Sequence, residues 1–349
     1  MKNFKFLLYP TLLLFFSTAF FPSCKNTKSA QSAIAGTYRA AFYNVENLFD
    51  TINLESKRDD EYTPDGTKHH NTKNYYDKLN KLAKVIEGME YPSLLGVCEV
   101  ENEAVLKDFI NETSLKSHNY QTVHFESPDE RGIDNGFIYN AKHFTVINSK
   151  KITIEFPKDI AKSDFTRDIL HVEGKLAGGP TLHIFVNHWP SRRGGIEKSE
   201  HKRTYVASQL RKAVDEIFTA SPNANILIMG DMNDEPDRKS VEVVLGAKLT
   251  FDVMEEKSLY NFTADFHRNG EGTYNYRGNW NMIDNIIVST EMAKPDSKVR
   301  ATNPTIFQKD WMMYEDKKNG SVPSKSYGKT DYYGGYSDHL PVFIDIVVK

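Results

Sequence analysis

Apolar residues occur along this chain in short runs separated by polar, turn-rich stretches. Residues 38–44 form an aromatic-rich run that reads as a strand, and 94–98 read as a second, buried one. Between them a charged stretch over 50–74 contains Thr63-Pro64-Asp65-Gly66 and reads as a surface loop, with His69-His70 on the surface. Tyr76, Leu79, Leu82, Ala83 and Ile86 then fall at helical spacing. Residues 120–156 are strand-like, and Gly178-Gly179-Pro180 divides runs at 169–176 and 181–187 as a hairpin turn would. An amphipathic helix over 197–219 carries Tyr205, Leu210, Val214 and Ile217, and an apolar strand at 226–229 follows it. Two last strands are predicted at 283–288 and 340–348. No internal repeat is visible, and two batches of strands punctuated by helices argue for a layered α and β fold with packed sheets.

The first 23 residues carry Lys2 and Lys5 ahead of apolar runs, the order of a secretory signal. Pro10 interrupts the apolar stretch, which is shorter than the roughly 20 residues of a membrane-spanning helix. Ser23-Cys24 follows, and then the polar Lys25-Asn26-Thr27-Lys28-Ser29. This resembles a bacterial lipoprotein signal, with Cys24 lipidated and residues 24–36 a tether. The body, 37–349, is expected to be exported and held at the cell envelope by its lipid, facing the periplasm. Simple secretion is the alternative. Cys98, the other cysteine, has no partner and reads as an inert core thiol, with a nucleophile as the sharper alternative.

Composition narrows the function. The 349 residues are 39% hydrophobic and 26% charged, which excludes a disordered or collagen-like chain. Net charge is −3, and the first 23 residues hold two lysines and no acid, so the remainder carries −5. Such a chain is not a generic polyanion binder; nucleic acid would have to be met by a local basic patch or a bound metal.

Polar residues repeatedly end the apolar strands, where loops hold them at the rim of a sheet. Asn44 and Glu46 end the first strand, and Glu99 the next. Asn187-His188, Asp231 with Asn233, and Asp338-His339 mark three more strand ends. Asp284 stands inside an apolar segment, where an ionised carboxylate needs a partner such as histidine. Each alone is equally a turn former. Together they supply what phosphate-ester hydrolysis requires. Glu99 and Glu46 offer hard oxygen ligands to Mg²⁺, or to Mn²⁺ or Ca²⁺. Asn44, Asn187 and Asn233 can donate to phosphate oxygens, Asp231 can orient or deprotonate water, and a carboxylate-oriented histidine can move protons near neutral pH. A zinc enzyme lacks its cysteine cluster or His-Glu-x-x-His helix here, and an ATP-driven mechanism lacks its Gly-x-x-x-x-Gly-Lys loop.

The segments Phe42-Tyr43-Asn44-Val45-Glu46-Asn47-Leu48, Gly96-Val97-Cys98-Glu99-Val100-Glu101-Asn102, Val186-Asn187-His188-Trp189-Pro190-Ser191-Arg192, Met229-Gly230-Asp231-Met232-Asn233-Asp234, Met282-Ile283-Asp284-Asn285-Ile286 and Tyr336-Ser337-Asp338-His339-Leu340-Pro341-Val342 occur in this order. The chain thereby resembles the endonuclease/exonuclease/phosphatase superfamily, the deoxyribonuclease-I-like hydrolases. That resemblance implies one domain over 37–349, a four-layer α/β/β/α sandwich. It implies Glu99 as principal metal ligand, with Glu46 a second acid and Asp338 placed to reach a metal. Asp231 would position or activate water, with Asn233 beside it holding phosphate. His339 would be the essential histidine and Asp284 its partner. His188 matches a histidine that can protonate the leaving oxygen in the deoxyribonuclease and sphingomyelinase branches, and its presence tilts the reading away from abasic-site repair.

Around these, Arg167 and the pair Arg192-Arg193 are placed to clamp substrate phosphate, with a solvated loop as the alternative for the pair. Asp134, after Arg131-Gly132-Ile133, is placed to support His188, with a plain turn as the alternative. The expected activity is hydrolysis of phosphodiester bonds by a monomeric, metal-dependent enzyme, with nucleic acid favoured by Arg192-Arg193 and by Tyr274, Tyr276 and Trp280 in the later loops. A sphingomyelinase-like or small-molecule phosphodiesterase or phosphatase is the alternative, and a non-catalytic envelope binding protein the remote one.

Overall fold

A computed structural model describes residue 1, residues 35–161 and residues 165–349. The signal segment, Cys24 and the tether up to residue 34 lie outside the described residues. The strands in chain order are β1 (Gly36–Leu48), β2 (Leu94–Val100), β3 (Tyr120–His124), β4 (Asp134–Asn140), β5 (Phe144–Ile152), β6 (Ile169–Leu176), β7 (Thr181–His188) and β8 (Asn225–Asp231). They continue as β9 (Ala247–Lys248), β10 (Leu259–Asn261), β11 (Tyr274–Tyr276), β12 (Asn279–Asn281), β13 (Asp284–Ser289), β14 (Val299–Ile306), β15 (Met313–Asp316), β16 (Gly320–Pro323) and β17 (Val342–Val348). Three longer helices are α1 (Thr72–Gly88), α2 (Glu103–Asn111) and α3 (Ile196–Ala220).

Two large sheets result. One has the order β14-β17-β1-β2-β4-β3 and the other β5-β6-β7-β8-β13-β10-β9. The central pairs β1·β2 and β7·β8 are parallel, and β1·β17 and β8·β13 are antiparallel.

Alternation in the direction of the side chains explains the layering. Phe42, Leu94, Cys98 and Phe137 point from the first sheet into a core shared with Val172, Ile184, Val186, Met229 and Ile286 of the second. Their neighbours Ala41, Tyr43, Leu95 and Val97 point the other way, onto Leu79, Leu82 and Leu106 of α1 and α2. In the second sheet Phe185, Ile226 and Ile228 face Val206, Leu210 and Val214 of α3. Strands buried on both faces need apolar residues at both parities, which is why these segments read as continuous apolar runs. The result is the α/β/β/α sandwich. Gly96 lies at a close approach of the two sheets, since a Cβ there would stand 2.6 Å from Met229 Sδ.

Two details differ from the sequence expectation. The apolar stripe of α1 begins at Tyr75, 4% exposed, while Tyr76 is 38% exposed. The loop before α1 is not wholly superficial, because a 3-10 turn at Asp60–Tyr62 folds it back and His70 is buried. The His70 ring meets Tyr327 Oη at 2.5 Å and the Phe49 carbonyl at 3.0 Å, tying this loop to the chain's C-terminal part; His69 stays exposed. Cys98 is fully buried, and burial followed by the charges of Asp231 and Glu99 pushes its thiol well up, so it is inert as a nucleophile.

Burial also pushes the His70 imidazole down to about 4. The unfolded chain binds this proton from about pH 6.5 and the native chain does not until far lower, so the contribution of His70 is complete above 6.5 and is lost as pH falls. Urea unfolding between pH 7 and 5 should show the wild type losing about 2 kcal/mol more than His70→Gln over that interval; parallel curves would remove His70 as the group responsible.

Candidate active site

Parallel neighbours β1 and β2 end in the same way. Glu46 (φ 49°) and Asn47 (φ 47°) on β1 and Glu99 (φ 62°) on β2 adopt left-handed backbone, and the β1·β2 register slips between Asn44 and Leu48. Non-glycine residues take this conformation at a cost, which here re-aims carboxylates that plain strands would send to alternate faces. Glu99 Oε2 accepts from Asn47 N at 2.9 Å. Asn44 Nδ2 donates to Asp231 Oδ2 at 3.1 Å and to Glu99 Oε1 at 3.4 Å, joining the sheets.

In the second sheet the strand register aligns His188, Asp231 and Asp284 as direct neighbours on β7, β8 and β13. Gly230 permits this close alignment, as a Cβ would lie 2.4 Å from the Asn187 carbonyl. His188 Nε2 stands 3.6 Å from Asp231 Oδ2 and 3.8 Å from Glu99 Oε1. His339 enters from the loop before β17, its Nδ1 2.8 Å from Asp284 Oδ2 and its Nε2 4.0 Å from Asp231 Oδ2. The Thr273 hydroxyl also donates to Asp284, and the Tyr274 ring covers His339 at 4.8 Å between centroids. Asp231 Oδ1 accepts from Asn233 N at 2.9 Å. The structure thus brings Asn44, Glu99, His188, Asp231, Asn233, Asp284 and His339 together.

The two histidines are driven apart electrostatically. Burial opposes charge on His339, yet the carboxylate and hydrogen bond of Asp284, with Asp338 and Asp231, hold its pKa well above the ordinary value. Burial, then Arg167 and Arg131, pushes His188 well below it. These opposite directions favour the charged form of His339 and the neutral form of His188. Asp231 is raised to about 7 by burial and by Asp284, against the pull of His339 and the Asn233 N–H.

Asp338 is raised to about 7 by burial and by Glu46, with Glu99 adding to the repulsion. Crowded hard-oxygen donors that repel one another fit a divalent cation. Glu46 is less open than expected, since its carboxylate accepts from Ser326 N at 2.6 Å and Tyr327 N at 3.4 Å. Glu99 and Asp338 are the principal candidates, with Glu46 behind them. Among the described residues, Asp231, Asp284 and His339 also place ligand atoms within 4.8 Å of one another, but the Nδ1 to Asp284 hydrogen bond marks a histidine–carboxylate pair.

Several expected phosphate contacts are engaged elsewhere. Both amide hydrogens of Asn44 point at carboxylates. Asn187, fully buried, donates to the Met229 carbonyl and accepts from Trp189 Nε1, because a buried amide must be satisfied internally. Arg167 is buried against Asp129 (3.1 Å) and the Trp189 carbonyl (2.7 Å). Arg192 braces the Asn233 carbonyl (2.7 Å), Asn281 Oδ1 (2.7 Å) and Glu235 (3.3 Å). Asp134 meets Ser127 and His124, not His188.

Two residues escaped sequence reasoning. Lys78, fully buried on α1, donates to the Glu46 carbonyl and, at 2.6 Å, to Ser326 Oγ; burial lowers its pKa while Glu46, Asp338 and Glu99 raise it. Arg203, fully buried on α3, pairs with Asp234 at 2.7 Å directly behind Asp231 and Asn233. Both lie on apolar stripes, with Tyr75 and Leu82 and with Val206 and Leu210, and a basic residue on such a stripe was the available signal.

Against this geometry the comparisons are informative. The model of the "Endonuclease/Exonuclease/phosphatase family" matches residues 39–348, and the chain belongs to that family. Similar solved structures include a mannosyl-6-phosphatase of Bacteroides thetaiotaomicron (16% identity, 89% of this chain and 99% of that one, TM-score 0.57). Others are the human Nocturnin catalytic domain with bound sulfate (15%, 91% and 97%, 0.53) and D. rerio TDP2 complexed with single-strand DNA product (15%, 89% and 98%, 0.53). No curated protein matches the sequence. The fold is that of the deoxyribonuclease-I-like hydrolases, and the family is one of phosphoesterases typically dependent on divalent metal.

Arg203→Met should cost about 3–5 kcal/mol in urea unfolding by stranding the Asp234 charge, and adding Asp234→Leu should recover most of it. A single variant as stable as wild type would show that the pair does not brace the Asp231 loop.

Proposed function

We propose that this protein is a divalent-metal-dependent phosphodiesterase acting on nucleic acid. The observation that carries the hydrolytic reading is Asp231 held between two histidines, His188 at 3.6 Å and His339 at 4.0 Å. Glu99 and Asp338 would hold the cation, whose charge would offset that of the phosphate. Asp231, with a pKa raised to about 7, orients a water and takes its proton as the oxygen attacks phosphorus. His339, fixed by Asp284, presents its proton at Nε2 to a phosphate oxygen, and the leaving oxygen departs with the electron pair of its bond to phosphorus and takes a proton from water. Asn233 gives one amide hydrogen to the Trp189 carbonyl at 3.0 Å and keeps the other for substrate.

Nucleic acid is favoured by the β11–β12 hairpin beside His339. It carries Tyr276, 53% exposed, with the Arg277 guanidinium 5.1 Å from its ring centre, and Trp280, surfaces on which bases stack. A phosphorylated sugar or other small ester is the second reading, favoured by the internal engagement of Arg167 and Arg192 and by the negative charge. The N-terminal Lys2, Lys5, apolar runs and Ser23-Cys24 support export as a lipoprotein, and Cys24→Ala should release the protein from the membrane fraction.

On plasmid DNA, RNA, sphingomyelin and mannose 6-phosphate in parallel, chelator should abolish turnover. Asp231→Ala and His339→Ala should each lose roughly 10²–10⁴-fold in kcat while remaining folded. Glu99→Ala should raise the metal concentration needed for half-maximal rate. Undiminished turnover in His339→Ala would sink the assignment, and turnover of the small ester alone would move the substrate class.

A further inference from the structure

Arg167, Arg192 and Arg203 are held by protein acceptors, so none of them is open to substrate at the carboxylate cluster. Arg131 is held differently. It follows Asp129 on the loop between β3 and β4, and its side chain is 46% exposed. Its Nη1 donates to a neutral acceptor, Asn47 Oδ1, at 3.2 Å, and its Nε lies 4.0 Å from Asp129. Asp129 is nearer to Arg167, at 3.1 Å, so its charge is already engaged.

Position is equally telling. Asn47 is the residue whose N–H binds Glu99, so Arg131 is one contact from the principal carboxylate. The charge of Arg131 also acts on His188, lowering its pKa together with burial and Arg167. Contacts run from Arg131 through Asn47 and Glu99 to His188, Asp231, His339 and finally the Tyr274 ring. A cation stands at one end of this row and an aromatic hairpin at the other.

The loop is built to hold that cation still. Asp129 Oδ1 accepts from Arg131 N at 2.9 Å, Gly132 turns at φ +75°, and Lys57 Nζ ties down the Ser127 and Asp129 carbonyls at 3.1 and 3.3 Å. Ser127 N donates to the buried Asp134 at 2.9 Å. A guanidinium on a fixed backbone loses little freedom on meeting an oxyanion, and its fork matches the spacing of two phosphate oxygens.

We propose that Arg131 is the residue that binds the substrate's phosphate oxygens, the part expected of Arg167 and Arg192. The inference rests on the phosphoesterase reading and deepens it by locating anion recognition on the β3–β4 loop. It makes Arg131 a determinant of affinity, while Asp231 and His339 remain those of chemistry.

The test uses the full body of the protein loaded with Mn²⁺, wild type against Arg131→Gln and Arg131→Lys. Inorganic phosphate binding is measured by calorimetry, Mn²⁺ affinity by titration, and KM and kcat on whichever ester the wild type turns over. Arg131→Gln should weaken phosphate binding and raise KM roughly 10–100-fold, with kcat, Mn²⁺ affinity and Tm close to wild type. Arg131→Lys should recover part of the loss by charge without the fork. Unchanged phosphate affinity in Arg131→Gln would overturn the proposal, as would a parallel fall in Mn²⁺ affinity, which would make Arg131 a brace for Asn47 and Glu99. A wild type that binds phosphate through Arg131 yet hydrolyses no ester would defeat the phosphoesterase reading and leave the anion site standing.

Discussion

Like-charge crowding governs this molecule. Glu46, Glu99, Asp231, Asp284 and Asp338 converge where two sheets meet, and burial makes the ionised forms of Asp231 and Asp338 expensive. The site is organised by how each charge is met. Asp284 is answered by His339, Glu46 by the N–H groups of Ser326 and Tyr327, and Asp231 by Asn44 and Asn233. Glu99 is met by Asn47 N and, more weakly, by the Asn44 amide. Removing any partner would return the repulsion to the rest, so the acidic residues define one electrostatic unit.

The sandwich makes the convergence possible. In each sheet the site lies at the ends of central strands, where the parallel pairs β1·β2 and β7·β8 finish side by side. Left-handed turns at Glu46, Asn47, Glu99 and Asn233 then redirect the chain within a residue or two of the strand ends. Because the strands are packed on both faces, these turns sit on a scaffold that does not yield, and backbone of this kind persists only where its surroundings over-determine it.

Basic residues divide into two populations by burial. Lys78, Arg167 and Arg203 are interior, each matched to carbonyls, hydroxyls or a carboxylate, and they hold the loops that carry the acids. Arg192 is partly exposed but spends its donors bracing the Asn233 loop against Asn281 and Glu235. Arg131 instead combines a half-exposed side chain with a neutral partner, which separates a residue that supports the site from one available to a ligand.

The sequence by itself marked β1, β2, β6, β7, β8, β13 and β17 and the helices α1 and α3, and it singled out Glu99, Asp231, Asp284 and His339 as candidates; α2, β10 and β14 emerged only in the structure. These follow from local periodicity and from chemistry that admits few residue types. Tertiary structure decided that Tyr75, not Tyr76, faces the core, that His70 is buried, and that Arg167, Arg192 and Asn187 serve the protein. It also brought Lys78 and Arg203 behind the site. A side chain's neighbours come from elements distant in sequence, as with Lys78 and Ser326 or Arg131 and Asn47. Whether a charge is spent internally or left for a ligand depends on those neighbours, and no local pattern encodes them.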